Sequence, residues 1–210
     1  MELLARLGSV VPEPNICIAF SGGMDSAVLA AGCARLGKTV RLLHAQTFLQ
    51  TSRERRMVQS VAECLGVACE EVAIDLSGAD FLLNHTPRRC YHCKRHLLGA
   101  LLACAGGAPL LEGTQADDDL SDRPGFQAVE ELGVRSPWLD AGIGKRLIQA
   151  AAAAWQLPVA GLRPSACLAT RIPFETPVTP DLAQIVDQAE EAALALERFG
   201  DVRFRLEVRG

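Results

Sequence analysis

The run Ile16-Cys17-Ile18-Ala19-Phe20-Ser21-Gly22-Gly23-Met24-Asp25-Ser26 constrains this chain more than any other stretch. An apolar segment ends in Ser-Gly-Gly, and an Ala/Leu-rich segment follows at once. That order predicts a buried strand, a tight turn and a helix N-terminus, the unit from which parallel α/β sheets are built. Glycines let the backbone approach an anion with no Cβ in the way. Free N–H groups and the positive end of the helix dipole then hold the anion. Asp25 stands beside phosphates only if a cation lies between them, so Mg²⁺ is implied. The turn lacks the G-x-x-x-x-G-K-[ST] pattern of a Walker A loop. A Ser/Gly-rich βα turn with no ligand is the plain alternative.

At 210 residues, with 49% hydrophobic and 22% charged positions, the chain can bury one substantial core, with or without an appendage. Its formal net charge of −4 argues against a nucleic-acid partner. No stretch is long and apolar enough for a membrane span. The N-terminus, with Glu2 and Arg6 followed by Pro12 and Pro14, lacks the order of a signal peptide. A cytoplasmic protein is expected. There, the eight cysteines read as thiols, metal ligands or reactive groups before disulfides.

Four strands and three helices alternate in the first half. Residues 26–36 read as a helix stopped by Gly37, and 39–45 as a second buried strand. Thr51-Ser52-Arg53-Glu54 is a capping-box sequence opening a helix to about Leu65. Residues 67–74 read as a third strand, a helix begins near Cys90 and runs to Cys104, and 109–113 form a short fourth strand. This order predicts a parallel twisted sheet with helices on both faces. Ligands of such sheets sit at the carboxyl ends of the strands, where Ser21-Gly22-Gly23 and Gly113-Thr114 both fall. Helices are expected around 126–132, 144–156 and 180–199. The alternation of residues 202–209 predicts a final strand. Residues 1–160 are read as the nucleotide domain and 161–210 as a smaller α+β portion.

Cys90 and Cys93 form a C-x-x-C pair. That spacing serves one ion, a cluster or a redox disulfide. Cys167, in a proline-bounded loop, is the third candidate. Three thiolates leave one position open on a [4Fe–4S] cluster, and on zinc they leave room for water or His92. Cys17, Cys33, Cys64, Cys69 and Cys104 have no spaced partner and read as structural.

The loop Ser21–Ser26 matches the SGG-x-DS turn of enzymes that cleave ATP to AMP and pyrophosphate. That turn, Arg89-Cys90-Tyr91-His92-Cys93-Lys94, Gly113-Thr114-Gln115-Ala116-Asp117-Asp118, Asp122-Arg123-Pro124-Gly125, the loop 164–173 and Val202-Arg203-Phe204-Arg205 stand in the order of the LarE family. The chain resembles that family from about residue 16 to 206. Gln115 replaces an Asn common there, and family members usually continue beyond the position of Gly210.

The resemblance implies an adenine nucleotide alpha hydrolase-like (PP-loop) fold and an ATP-dependent sulfurtransferase of nickel-pincer nucleotide biosynthesis. ATP would adenylylate a carboxylate of pyridinium-3,5-biscarboxylic acid mononucleotide, and sulfur would displace AMP to leave a thiocarboxylate. By the same resemblance, Ser21, Gly22, Gly23 and Ser26 would cradle pyrophosphate and Asp25 would hold Mg²⁺. Gly113 and Thr114 would touch AMP. Arg171, Arg203 and Arg205 would face the anionic substrate. Cys90, Cys93 and Cys167 would hold a [4Fe–4S] cluster carrying the transferable sulfide, with Cys167 surrendering its own sulfur as the other route. A sulfur donor protein or free sulfide would recharge the site, and a homo-oligomer is expected. Two rivals remain: a tRNA thiolase with the same ATP chemistry, and a nucleotide-binding redox sensor using Cys90 and Cys93.

Overall fold

A computed structural model describes residues 2–120, 124–160, 166–196 and 202–207. Four parallel strands stand in the order β3-β2-β1-β4: β1 (Asn15–Ala19), β2 (Thr39–Gln46), β3 (Cys69–Ala73) and β4 (Leu110–Leu111). The register runs Asn15↔Thr39 to Ala19↔Leu43, Leu42↔Cys69 and Cys17↔Leu110. β1 is central because Ile16, Cys17 and Ile18 are all apolar, which suits a strand covered on both faces.

Side chains alternate along a strand, so the two faces build separate cores. Ile16 and Ile18 join Leu3, Leu7, Leu29, Val58, Trp138 and Ile148. That layer comprises α1 (Glu2–Val10), α2 (Met24–Arg35), α3 (Ser52–Leu65), α7 (Pro137–Asp140) and α8 (Lys145–Ala154). Cys17 and Leu43 face the other way, onto Leu98, Leu101 and Val129 of α5 (Arg89–Ala105) and α6 (Pro124–Glu131). A third apolar cluster lies beside the sheet. It gathers Leu49, Leu76, Leu82, Ala169, Ile172 and Val178, with Cys93 and Cys167 packed against it. It is fed by α4 (Asp80–Leu83), a 3₁₀ turn (Leu168–Arg171) and α9 (Pro180–Leu194).

Most expected elements fall within a few residues of their observed bounds. The capping box forms in full: Thr51 Oγ1 accepts from Glu54 N, and Thr51 N donates to the Glu54 carboxylate. The amphipathic helix α1, which buries Leu3 and Leu7, was not anticipated, nor were the short α4 and α7. The strand expected over 202–209 is corrected. Residues 202–207 are irregular, with Leu206 N donating to Arg171 O (2.8 Å) and Phe204 N to Glu190 Oε1 (3.1 Å). Alternation makes a strand only where a sheet edge is in reach, and this segment is tied to the 3₁₀ turn and α9 instead. Residues 121–123, 161–165, 197–199 and 208–209, parts of four expected features, lie outside the described residues. No helix among the described residues is long and apolar enough to cross a membrane.

Candidate functional site

The Ser21–Ser26 turn sits at the carboxyl end of β1. His44, buried on β2, donates from Nδ1 to the Phe20 carbonyl (2.7 Å) while Gln50 Nε2 donates to its Nε2, which fixes the strand end just before the turn. Gly22 takes φ +72°, and a Cβ there would lie 2.9 Å from Val58 Cα, so α3 passes too close for any other residue. Ser26 Oγ donates to Gly23 O (3.0 Å) and Ser21 Oγ accepts from Gly23 N (3.3 Å), so the two hydroxyls shape the turn from within. Gly23 caps α2 with no side-chain acceptor. Among the described residues, the backbone donors of the first helical turn have no capping side chain, the state in which a helix end receives an anion.

β4 delivers Gly113 against this turn: a Cβ on Gly113 would lie 3.1 Å from Asp25 Cβ and 3.2 Å from Ser26 N. The neighbouring Glu112 is buried and accepts from Ser136 Oγ (2.6 Å), Thr114 N (2.9 Å) and Lys94 Nζ (3.0 Å). Burial alone would raise the Glu112 pKa, but Lys94 and the two hydrogen-bond donors outweigh it and hold the carboxyl below its ordinary value. Trp138, fully buried, donates from Nε1 to Asp25 O (3.0 Å). The Asp25 carboxylate lies against Lys145 Nζ at 2.7 and 2.8 Å. Lys145 opens α8, and its backbone N donates to Asp117 (2.6 Å). A cationic group already stands on Asp25, so the donor fits a cation.

The thiols assemble at the start of α5. Cys93 and Cys167 pack on the same apolar cluster, and Cys90 is exposed one turn away. Arg89 is buried among them. Its Nη2 donates to Cys90 Sγ (3.0 Å) and its Nη1 lies 3.1 Å from His85 Nε2. Burial pushes the Cys93 thiol up to about 12, and the nearby Cys167 adds to the shift. Cys167 also rises, chiefly through burial, with Arg89 opposing. Burial lowers the Arg89 pKa, but its hydrogen bond to Cys90 and the charges of Cys167, Cys90 and Cys93 carry it upward overall. The three cysteines thus lie within electrostatic reach of one another and of one guanidinium. Among the described residues, no group of three or more His, Cys, Asp or Glu is gathered tightly enough to hold a metal ion. A single zinc would require thiolates about 4 Å apart. A cluster spreads its ligands over separate irons, and three thiols around a buried cation suit its anionic charge in donor type.

Arg171 is committed to protein groups among the described residues. It is 4% exposed, pairs with Glu190 through Nε (2.9 Å) and Nη2 (3.2 Å), and turns Nη1 onto the carbonyls of Ala166 and Cys167. In this arrangement Arg171 ties the Cys167 loop to α9. Glu190 is buried, whereas its neighbour Glu191 pairs with Arg56 at the surface. Arg203 and Arg205 are both exposed. Of the cysteines read as structural, Cys17 and Cys33 are buried and Cys64 is exposed.

Residues 15–84 match the family model of the queuosine biosynthesis protein QueC. Over 197 residues the chain is 32% identical to a pyridinium-3,5-bisthiocarboxylic acid mononucleotide synthase of Lactiplantibacillus plantarum, covering 91% of this chain and 71% of that protein. The chain belongs to the LarE family. Uncharacterized proteins of Synechocystis (31% identity, 90% of this chain and 72% of theirs) and Methanocaldococcus jannaschii (26%, 91% and 74%) are also similar. Membership makes the chain an ATP-using sulfurtransferase, and its sheet has the PP-loop adenine nucleotide alpha hydrolase-like fold. Within this LarE-family site, sequence reasoning missed Lys145, Glu112 and Trp138. It quoted Arg89 only as a neighbour of Cys90. The basic residue directly after Gly144 was the one available sign of Lys145.

Proposed function

We propose that this chain converts a carboxylate of pyridinium-3,5-biscarboxylic acid mononucleotide into a thiocarboxylate at the expense of ATP, in nickel-pincer nucleotide biosynthesis. The observation that carries the reading is the contact between two turns. The Ser21–Ser26 turn is pressed against Gly113, and Lys94, one residue beyond Cys93, reaches Glu112 beside that same contact. That proximity supports a reading in which nucleotide and sulfur chemistry share one end of the sheet.

Ser21, Gly22, Gly23 and Ser26 receive the pyrophosphate portion, with the open amides of α2 facing its charge. Gly113 and Thr114 line the AMP portion, and the close approach at Gly113 makes a Cβ there a tight fit against Asp25 and Ser26. Asp25 holds Mg²⁺, which when bound neutralises the phosphates and the developing charge on the leaving pyrophosphate. Arg203 and Arg205 offer planar forks to the carboxylates and phosphate of the substrate. Cys90, Cys93 and Cys167 hold a [4Fe–4S] cluster, which when bound supplies an open iron for a transferable sulfide. Arg89 balances the negative charge of those thiolates, and Arg171 fixes the carbonyls on either side of the Cys167 Cα. A sulfur donor protein or sulfide restores the sulfur.

The test is product analysis with the pyridinium mononucleotide, ATP and Mg²⁺. AMP, pyrophosphate and a thiocarboxylate are expected. Asp25→Ala should lose this activity by the several kcal/mol typical of a lost phosphate-compensating charge. ADP as the product, or full activity in that variant, overturns the proposal.

A further inference from the structure

Lys145 is the group that the sequence pattern left unassigned and that the structure puts into the nucleotide turn. Its Nζ contacts both oxygens of Asp25, at 2.7 and 2.8 Å. The stem is anchored at both ends of its local frame. Lys145 opens α8, its backbone N is held by Asp117, and Gly144 before it lets the Asp117 carboxylate in: a Cβ there would lie 2.3 Å from Asp117 Oδ2. The ammonium therefore cannot wander from the loop, yet its four-carbon stem leaves it free to move a short way within it.

Asp25 is also tethered. Its carbonyl accepts from the buried Trp138 indole, and Gly113 packs on its Cβ. The pair itself is open to water, with each side chain about one-third exposed. An ion pair so exposed is weakly held and exchanges readily for a better partner. Within the turn, Asp25 and Lys145 are opposite charges set where a polyanion has to enter. While the pair is closed, the carboxylate repels the phosphates and the ammonium is spent on the carboxylate.

Building on the nucleotide reading above, we propose that Lys145 is a phosphate-binding residue for the β,γ-phosphates of ATP, masked by Asp25 in the nucleotide-free protein and released by the incoming triphosphate. Asp25 is then left to a cation carried with the nucleotide, while Lys145 turns its charge onto phosphate oxygen. The exchange conserves charge: one carboxylate–ammonium pair opens, and both partners re-pair on the nucleotide and its cation. The site would thus discriminate triphosphate and pyrophosphate from AMP, which lacks the oxygens Lys145 would take. Product AMP would leave a site whose pair has closed again.

The experiment uses the full chain in excess EDTA, so that no metal contributes, and measures binding of pyrophosphate, AMP and ATP by calorimetry. Lys145→Met should weaken pyrophosphate and ATP at least tenfold and change AMP by less than twofold. Lys145→Arg should retain most of the affinity. Asp25→Asn should tighten metal-free pyrophosphate several-fold, because it unmasks the ammonium. A pair that served only to hold the fold would make both substitutions weaken all three ligands, and that result overturns the inference. So does wild-type affinity for pyrophosphate in Lys145→Met. Failure of the wild-type protein to bind ATP even with Mg²⁺ overturns the nucleotide reading, and this inference falls with it.

Discussion

Replacing Arg171 by Ala tests whether that residue serves to hold the Cys167 loop on α9. Arg171 and Glu190 are 4% and 7% exposed at their side chains, with Nε and Nη2 of the guanidinium bonded to the carboxylate. Removing one partner of such a pair leaves a buried charge uncompensated, at a cost of about 3–5 kcal/mol. Phe204 N keeps Glu190 as acceptor, but the carbonyls of Ala166 and Cys167 lose their donor. At roughly 2–4 °C per kcal/mol for a chain of this size, Tm should fall by about 6–20 °C. The assay is thermal unfolding by circular dichroism, paired with steady-state kinetics below the variant's transition. Arg171→Met with Glu190→Gln should recover more than half of the loss, because no buried charge remains and the Gln oxygen still serves Phe204 N. A Tm within about 2 °C of wild type, together with a raised KM for the mononucleotide, would refute the reasoning and return Arg171 to the substrate.

Other consequences follow from single contacts. Gly22→Ala should cost about 2–4 kcal/mol, from a left-handed backbone and the approach of Val58; denaturant unfolding checks it, and an unchanged midpoint would contradict the geometry. In metal-free native protein at mildly alkaline pH, Cys64 should react with iodoacetamide while Cys93 stays protonated and unlabelled, since its pKa is pushed up to about 12. Peptide mapping reads this, and Cys93 labelling as fast as Cys64 would be inconsistent with its burial. In cluster-loaded protein, Cys167 should keep its mass through many turnovers. Intact-mass spectrometry showing one-for-one conversion to dehydroalanine would establish the sacrificial route instead.

Local sequence carried much of the sheet because local forces decide it. Ile16-Cys17-Ile18 can only be a strand covered on both faces, and Thr51 with Glu54 closes its capping box within one helical turn. The C-x-x-C pair announced the first turn of α5 for the same reason. What stayed hidden depends on contacts between distant segments. Nothing near Arg171 in the sequence announces its pairing, which exists only once α9 brings Glu190 onto it. Lys145 has no meaning for the nucleotide turn until α8 is laid beside α2, which places its ammonium on Asp25. The tail 202–207 alternates like a strand, but its donors go to Arg171 O and Glu190. Helix α1 has only Leu3 and Leu7, one turn apart, as its buried face, and it is the core they join that fixes it.

The central claim is that ATP cleavage at the Ser21–Ser26 turn drives sulfur onto a carboxylate. The most direct measurement is a stoichiometric one: protein, ATP, Mg²⁺, sulfide and the pyridinium biscarboxylate mononucleotide, with AMP, pyrophosphate and sulfur-containing product quantified together by mass spectrometry. The account predicts equal amounts of AMP, pyrophosphate and new thiocarboxylate, with none formed when the mononucleotide is withheld. ADP and phosphate in place of AMP and pyrophosphate, or AMP released with no sulfur entering the mononucleotide, would contradict it.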